Sequence, residues 1–141
     1  MRTLTILLCF FLVAAARVPD LNAVADYVFD GDTFSATVHL ENGAEVSAHV
    51  RIMDIDAPEM HGKCESEIAW AIRSKNRLAE LLPKGTKIKL SKIKDDKYLK
   101  RIDAFVTLPD GRDVSKIMLA ENLAVKYDGG KRQSWCNDKG E

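Results

Sequence analysis

Asn42-Gly43 sits between two runs of strand-like residues, and no other feature limits the fold of this chain so tightly. Residues 33–40 alternate in the period of a half-buried strand, and residues 44–55 return the pattern. Asn-Gly is a strong hairpin-turn pair because it tolerates positive φ. The spacing therefore predicts an antiparallel hairpin. In a hairpin, the residue before the first strand ends up beside the residue after the second. Asp32 and Asp56, far apart in the chain, are expected at the same end of one sheet.

The second strand runs into Arg51-Ile-Met-Asp-Ile-Asp-Ala-Pro-Glu59, which packs a guanidinium, three carboxylates and a proline together. A hydrophobic core would not require that density of charge. Two carboxylates can hold a hard cation, a third can handle a proton, and an Arg can neutralise an oxyanion. The stretch reads as a site for hydrolysing a phosphate ester. Along a straight strand Arg51 and Asp56 would point to opposite faces. A bend near Asp54–Ile55 is needed if both serve one pocket, and Pro58 marks the regular strand as already ended. Asp30-Gly31-Asp32-Thr33 reads as a turn or bulge in which Gly31 permits positive φ. Taken singly, Arg51 reads as a surface ion pair and Glu59 as a solvated carboxylate; the combination argues for a site.

Residues 23–29 form a short first strand. Residues 65–82 read as a helix whose inward stripe is Ile68, Ala71/Ile72, Lys75, Leu78/Ala79 and Leu82, with Ser66 as its cap and Pro83-Lys84-Gly85 as its end. Trp70, at the margin of that stripe, reads as a core residue. Residues 86–94 alternate Lys87, Lys89 and Lys92 with Ile88, Leu90 and Ile93, a strand with one basic face that solvation explains better than phosphate tracking. Residues 102–108 form a further strand, followed by a turn at Pro109-Asp110-Gly111. Asp113 caps a short helix to about Leu119, Asn122 suits its left-handed end, and residues 123–127 are extended. The pattern is mainly β with helices (α+β). It describes a five-stranded Greek-key barrel of the OB type, with a helix between strands three and four and a short helix after strand five.

The chain has 141 residues, with 21 Lys+Arg against 21 Asp+Glu. That is enough for one domain, and there is no net charge to draw it to nucleic acid in bulk. Any phosphate binding must come from a local patch. The N-terminus stands apart. Met1-Arg2-Thr3 is followed by an uncharged apolar run ending in Ala14-Ala15-Ala16, the pattern of a secretory signal peptide. The run is shorter than the roughly 20 residues of a spanning helix. Cleavage is expected after Ala16, with Ala23-Val24-Ala25 as a second candidate. Residues 17–141 then form a single exported domain, periplasmic or extracellular, with no membrane span. Cys9 leaves with the peptide. Cys64 and Cys136 remain as an even pair in an oxidising compartment and are expected to form a disulfide. Two free thiols are the alternative; neither Cys has a Cys or His partner at metal-site spacing.

Three motifs in order, Asp30-Gly-Asp32-Thr, Arg51-(x)4-Asp56-Ala-Pro-Glu59 and Asp96-Lys-Tyr98-(x)2-Arg101-(x)2-Ala104, resemble those of the staphylococcal thermonuclease family over about residues 24–127. Tyr127-Asp-Gly-Gly and Trp135-Cys136, with Cys64, resemble its exported bacterial branch. The resemblance implies an OB fold and a calcium-dependent phosphodiesterase acting on DNA and RNA. It implies Asp32 and Asp56 as carboxylate ligands to Ca2+ and Ala57 as a backbone-carbonyl ligand. Arg51 and Arg101 would grip the scissile phosphate, and Glu59 would orient or deprotonate the attacking water. On the chemistry of the stretch itself, Asp54 is the runner-up base or a further metal-site neighbour. Lys97, Tyr98 and Tyr127 would line the nucleotide pocket. Two departures stand out: the family often has Thr where Ala57 stands, and a single Gly where this chain has Leu99-Lys100. Ala104 keeps its distance from Arg101, which selects Arg101 over Lys100. The expected function is that of an exported, monomeric nuclease. The alternative is a non-catalytic OB module that binds nucleic acid or a protein, which the fold alone permits.

Overall fold

The strand β1 (Leu21–Val28) leads into the Asn-Gly hairpin of β2 (Thr33–His39) and β3 (Glu45–Ile52), in a computed structural model that describes residues 18–95 and 100–136. Ala36 pairs with Ala48 and Thr33 with Arg51, so the hairpin carries Asp32 to the end of β3 as its alternation requires. The loop closes through Glu41-Asn42-Gly43, with Leu40 N–H donating to the Ala44 carbonyl and Gly43 at φ 82°. The remaining elements are β4 (Ile55–Asp56), α1 (Glu65–Leu81), β5 (Lys87–Asp95), β6 (Arg101–Thr107), α2 (Val114–Ala120) and β7 (Val125–Lys126).

Five strands close a barrel in the order β1-β2-β3-β6-β5, and β5 returns to pair with β1. The β3–β6 contact is parallel and the others are antiparallel. This is the OB-type barrel expected, with α1 between the third and fourth barrel strands and α2 after the fifth. Its interior follows from the alternation: Phe34, Val50, Ile52, Leu90, Ala104 and Val106 are almost completely buried, and most of their neighbours are more exposed, Ser35 being an exception. Leu78 of α1 and Val114 and Met118 of α2 join the same cluster. The Asp113 carboxylate accepts from Lys116 N–H as the expected cap, and Asn122 takes the left-handed conformation at φ 55°.

Three local expectations need correction. The inward face of α1 is Glu67, Ala71, Ser74, Leu78 and Leu81, rotated from the expected stripe, and Ile68 and Ile72 are exposed. The helix is capped by Cys64 and not Ser66, with no side-chain cap bond. Trp70 is only half-buried: it packs against Trp135, ring centres 6.4 Å apart, with Arg73 over its face. The reason is close approach. A Cβ on Gly31 would lie 2.5 Å from Ser74 Cβ, so the barrel presses against α1 where only small side chains fit.

Candidate active site

The second strand ends where the parity argument required. Met53 and Asp54 form a turn, with Asp54 in the left-handed region at φ 66°. Beyond it, Ile55–Asp56 leaves the barrel and pairs with Val125–Lys126. This bend lets Arg51 and Asp56 face the same place. Gly31 is needed there for space and not for positive φ: its missing Cβ would also sit 2.7 Å from Ala57 Cβ. The Asp30–Asp32 turn is therefore pressed onto the Asp56-Ala57 segment.

Asp32 and Asp56 are both buried, at 4% and 0% exposure. Asp32 Oδ2 accepts from Ala57 N–H at 2.8 Å, and its Oδ1 accepts from the Thr33 hydroxyl at 2.9 Å. One guanidinium joins the two carboxylates: Arg51 Nη1 lies 3.1 Å from Asp32 Oδ1, and Nη2 lies 3.4 Å from Asp56 Oδ1. Burial opposes the Arg51 charge, but Asp32 and Asp56 outweigh it and hold its pKa above the ordinary value. Asp30 accepts from Asp32 N–H; burial, then the neighbouring Asp32 charge, push the Asp30 carboxyl up to about 7. Tyr127 stands over Arg51, its ring centre 5.7 Å from the guanidinium carbon, and donates its hydroxyl to the Gly130 carbonyl. An open cleft of about 280 Å³ lies beside Arg51 and Tyr127.

Two residues escaped the sequence reading. Arg132 Nε donates to both oxygens of Asp56 at 2.9 and 3.0 Å, Nη2 donates to the Ala57 carbonyl at 3.2 Å, and Nη1 donates to Glu59. Burial opposes its charge, yet the bonds to Asp56 and Glu59 raise its pKa. The signal was available: the Cys64–Cys136 disulfide, Cα atoms 5.9 Å apart, ties the tail to a point just past Glu59, so the tail must cross the cluster. Glu67 is buried and accepts from Glu59 N–H at 3.3 Å and Lys63 N–H at 2.9 Å. Its place three residues after the cap is that of a capping-box acid. It fixes the backbone of Glu59, whose own side chain stands half-exposed.

Arg101 opens β6 opposite His49, and Asp103 is opposite Arg51. Paired residues share a face, so Arg101 lies on the Arg51 face, two register steps along the strands. Lys100 before it takes φ 65°, a conformation that glycine adopts more cheaply, and its carbonyl accepts from His49 N–H. From Arg101 onward the β3–β6 ladder runs without a register shift, and the β5–β6 ladder shifts between Ser91 and Lys94. Lys97 and Tyr98 lie outside the described residues, as does the N-terminal apolar run.

Two buried carboxylates and the Ala57 carbonyl are hard oxygen donors of the kind calcium takes. A guanidinium already sits against Asp56 and that carbonyl, so the group accepts positive charge there. Cys64, Glu67 and Cys136 form a second cluster, ligand atoms within 4.8 Å of one another. Its two sulfurs are bonded to each other, so no thiolate is offered while that bond stands. Among the described residues, no helix is long and apolar enough to cross a membrane.

A search of curated proteins found no match. The family described as "Staphylococcal nuclease homologue" matches residues 49–139. That segment, well over half of the chain, runs from β3 through Arg51, Glu59 and Arg132, and the chain belongs to the staphylococcal nuclease homologue family.

Proposed function

We propose that this chain is an exported, calcium-dependent nuclease that hydrolyses phosphodiester bonds in DNA or RNA. The observation that carries the reading is the Arg51 guanidinium held between two buried carboxylates at the barrel end, with Glu59 linked to Asp56 through Arg132. The family is in general one of nucleases and phosphodiesterases. The disulfide and the N-terminal apolar run support export, and a single domain over residues 17–141 acting as a monomer completes the reading.

Asp32, Asp56 and the Ala57 carbonyl are the residues proposed to hold the calcium ion. When bound, the ion supplies positive charge that offsets the charge built on the phosphate oxygens. Arg51, oriented by both carboxylates, binds a phosphate oxygen through its remaining donors, and Arg101 approaches from β6 on the same face. Glu59, with its backbone pinned by Glu67, takes the proton of the attacking water, a role worth about 10²–10⁴-fold in rate. Tyr127, Lys97 and Tyr98 line the nucleotide side.

The alternative is a non-catalytic OB module that binds nucleic acid or a protein. One observation favours it: Arg132 already engages Asp56 and Glu59. The discriminating experiment incubates the oxidised domain with single-stranded DNA, with calcium and then with chelator, beside Glu59→Gln. The nuclease reading expects calcium-dependent cleavage that the variant loses by two orders of magnitude or more, on the order of the general-base contribution. Cleavage absent, or equal in the variant, favours the binding module.

A further inference from the structure

Arg132 is an unexpected neighbour for a cation site. Its guanidinium donates to both oxygens of Asp56, to the Ala57 carbonyl and to Glu59. These are two of the three groups proposed to hold calcium, together with the carboxylate proposed as base. A guanidinium and a calcium ion cannot share the same lone pairs on one carboxylate and one carbonyl. The contact is also built into the fold. Upstream, Tyr127 N–H donates to the Asp54 carbonyl and its ring covers Arg51. Downstream, Cys136 is bonded to Cys64. Arg132 is thus in the middle of a short span fixed at both ends, which keeps its effective concentration at Asp56 high. Asp56 is fully buried, so the charge placed against it meets little competition from water.

We propose that Arg132 is an internal occupant of the cation position, which must withdraw from Asp56 and the Ala57 carbonyl before calcium is held there, so that the disulfide-bound tail sets the metal affinity. The inference rests on the calcium reading above. Only the fraction of molecules with Arg132 withdrawn is competent to bind, and the apparent affinity falls by that fraction. The exposed neighbour Lys131 carries the same charge and supplies the control.

The test is calorimetric titration of calcium into the oxidised full-length chain, its Arg132→Ala variant and its Lys131→Ala variant. Removing Arg132 should tighten calcium binding about tenfold, the scale of a displaced hydrogen-bonded charge pair. Lys131→Ala should change it much less. In the nuclear magnetic resonance spectrum, the Arg132 Nε–H proton should exchange slowly with solvent before calcium is added and quickly afterwards. Equal or weaker binding by Arg132→Ala overturns the proposal and leaves the calcium reading standing. So does an equal gain from Lys131→Ala, which would make the effect one of net charge. Binding by none of the three proteins overturns the proposal and the calcium reading together.

Discussion

Gly31→Ala tests the contact on which the geometry of the acidic cluster depends. The added Cβ would lie 2.5 Å from Ser74 Cβ and 2.7 Å from Ala57 Cβ. Carbon atoms settle at about 3.5–4.0 Å, so each contact must open by about 1 Å. Neither neighbour is the far end of a flexible side chain. Both are Cβ atoms fixed to backbone, one on α1 and the other on the segment after β4, so the turn, the helix or the Asp56-Ala57 segment has to move. Overpacking a well-filled site costs about 1–3 kcal/mol, and two rigid contacts place this substitution near about 3 kcal/mol. For a domain of this size, at about 4 °C per kcal/mol, the midpoint should fall by about 12 °C. Thermal and urea unfolding of the oxidised protein measure both quantities. The same shift should open the 2.8 Å bond from Ala57 N–H to Asp32, so calcium affinity should fall as well. Adding Ala57→Gly removes the second contact and should recover part of the loss. A Gly31→Ala protein within about 0.5 kcal/mol of the parent, the range of an ordinary surface substitution, would refute the close packing of turn on helix.

Removing the Cys64–Cys136 bond by paired Ser substitution opens a loop with a sequence separation of 72, which chain entropy values at about 4 kcal/mol; urea midpoints should fall accordingly, and an unchanged midpoint would mean that the bond constrains nothing in the unfolded chain. Lys100→Gly should stabilise the domain by up to about 1 kcal/mol, because a left-handed non-glycine residue costs roughly 1–2 kcal/mol and added chain entropy returns part of that; a lower urea midpoint would show that Lys100 is not strained.

What was legible in the sequence is what depends on near neighbours. The hairpin follows from alternation and a turn pair, the α2 cap from Asp113, and the left-handed end from Asn122. Even the bend at Asp54 was implied by strand parity. The inward face of α1 was not legible, because apolar spacing favours Ile68 and Ile72 while the packing selects small or buried polar groups. Ser74 faces Gly31, and Glu67 fills the space beside Gly62, whose Cβ would lie 2.6 Å from Glu67 Cγ. Hydrophobicity does not encode how closely two backbones approach. The parallel β3–β6 pairing and the β4–β7 pairing are non-local for the same reason. Of the residues that the sequence motifs single out, the structure gathers Asp32, Arg51, Asp56, Ala57 and Glu59 at one end of the barrel. Arg132 was missed because its place is set by a disulfide and not by its own neighbours in the chain.

The charge arrangement gives that tail contact a physical reason. Buried carboxylates are costly unless paired, and breaking one such pair by deleting a partner commonly costs about 3–5 kcal/mol. Arg51 alone faces two of them, and its bond to Asp56 is the longer, 3.4 Å against 3.1 Å to Asp32. Asp30 adds a third carboxyl close by, already pushed up to about 7 by burial and by Asp32. Without a second cation, Asp56 would be the least compensated group in the cluster while also the most buried. Arg132 supplies that cation from a segment tied down at both ends, with its two closest bonds on Asp56 aside from the contact to Glu59. The fold and the proposed metal therefore make opposing demands on the same oxygens. A tail that compensates Asp56 well keeps the metal-free barrel intact and, on the proposed reading, opposes calcium at the same oxygens. The half-exposed position of Arg132, in contrast to the less exposed Arg51, is where that balance can shift, because solvent can receive the departing guanidinium.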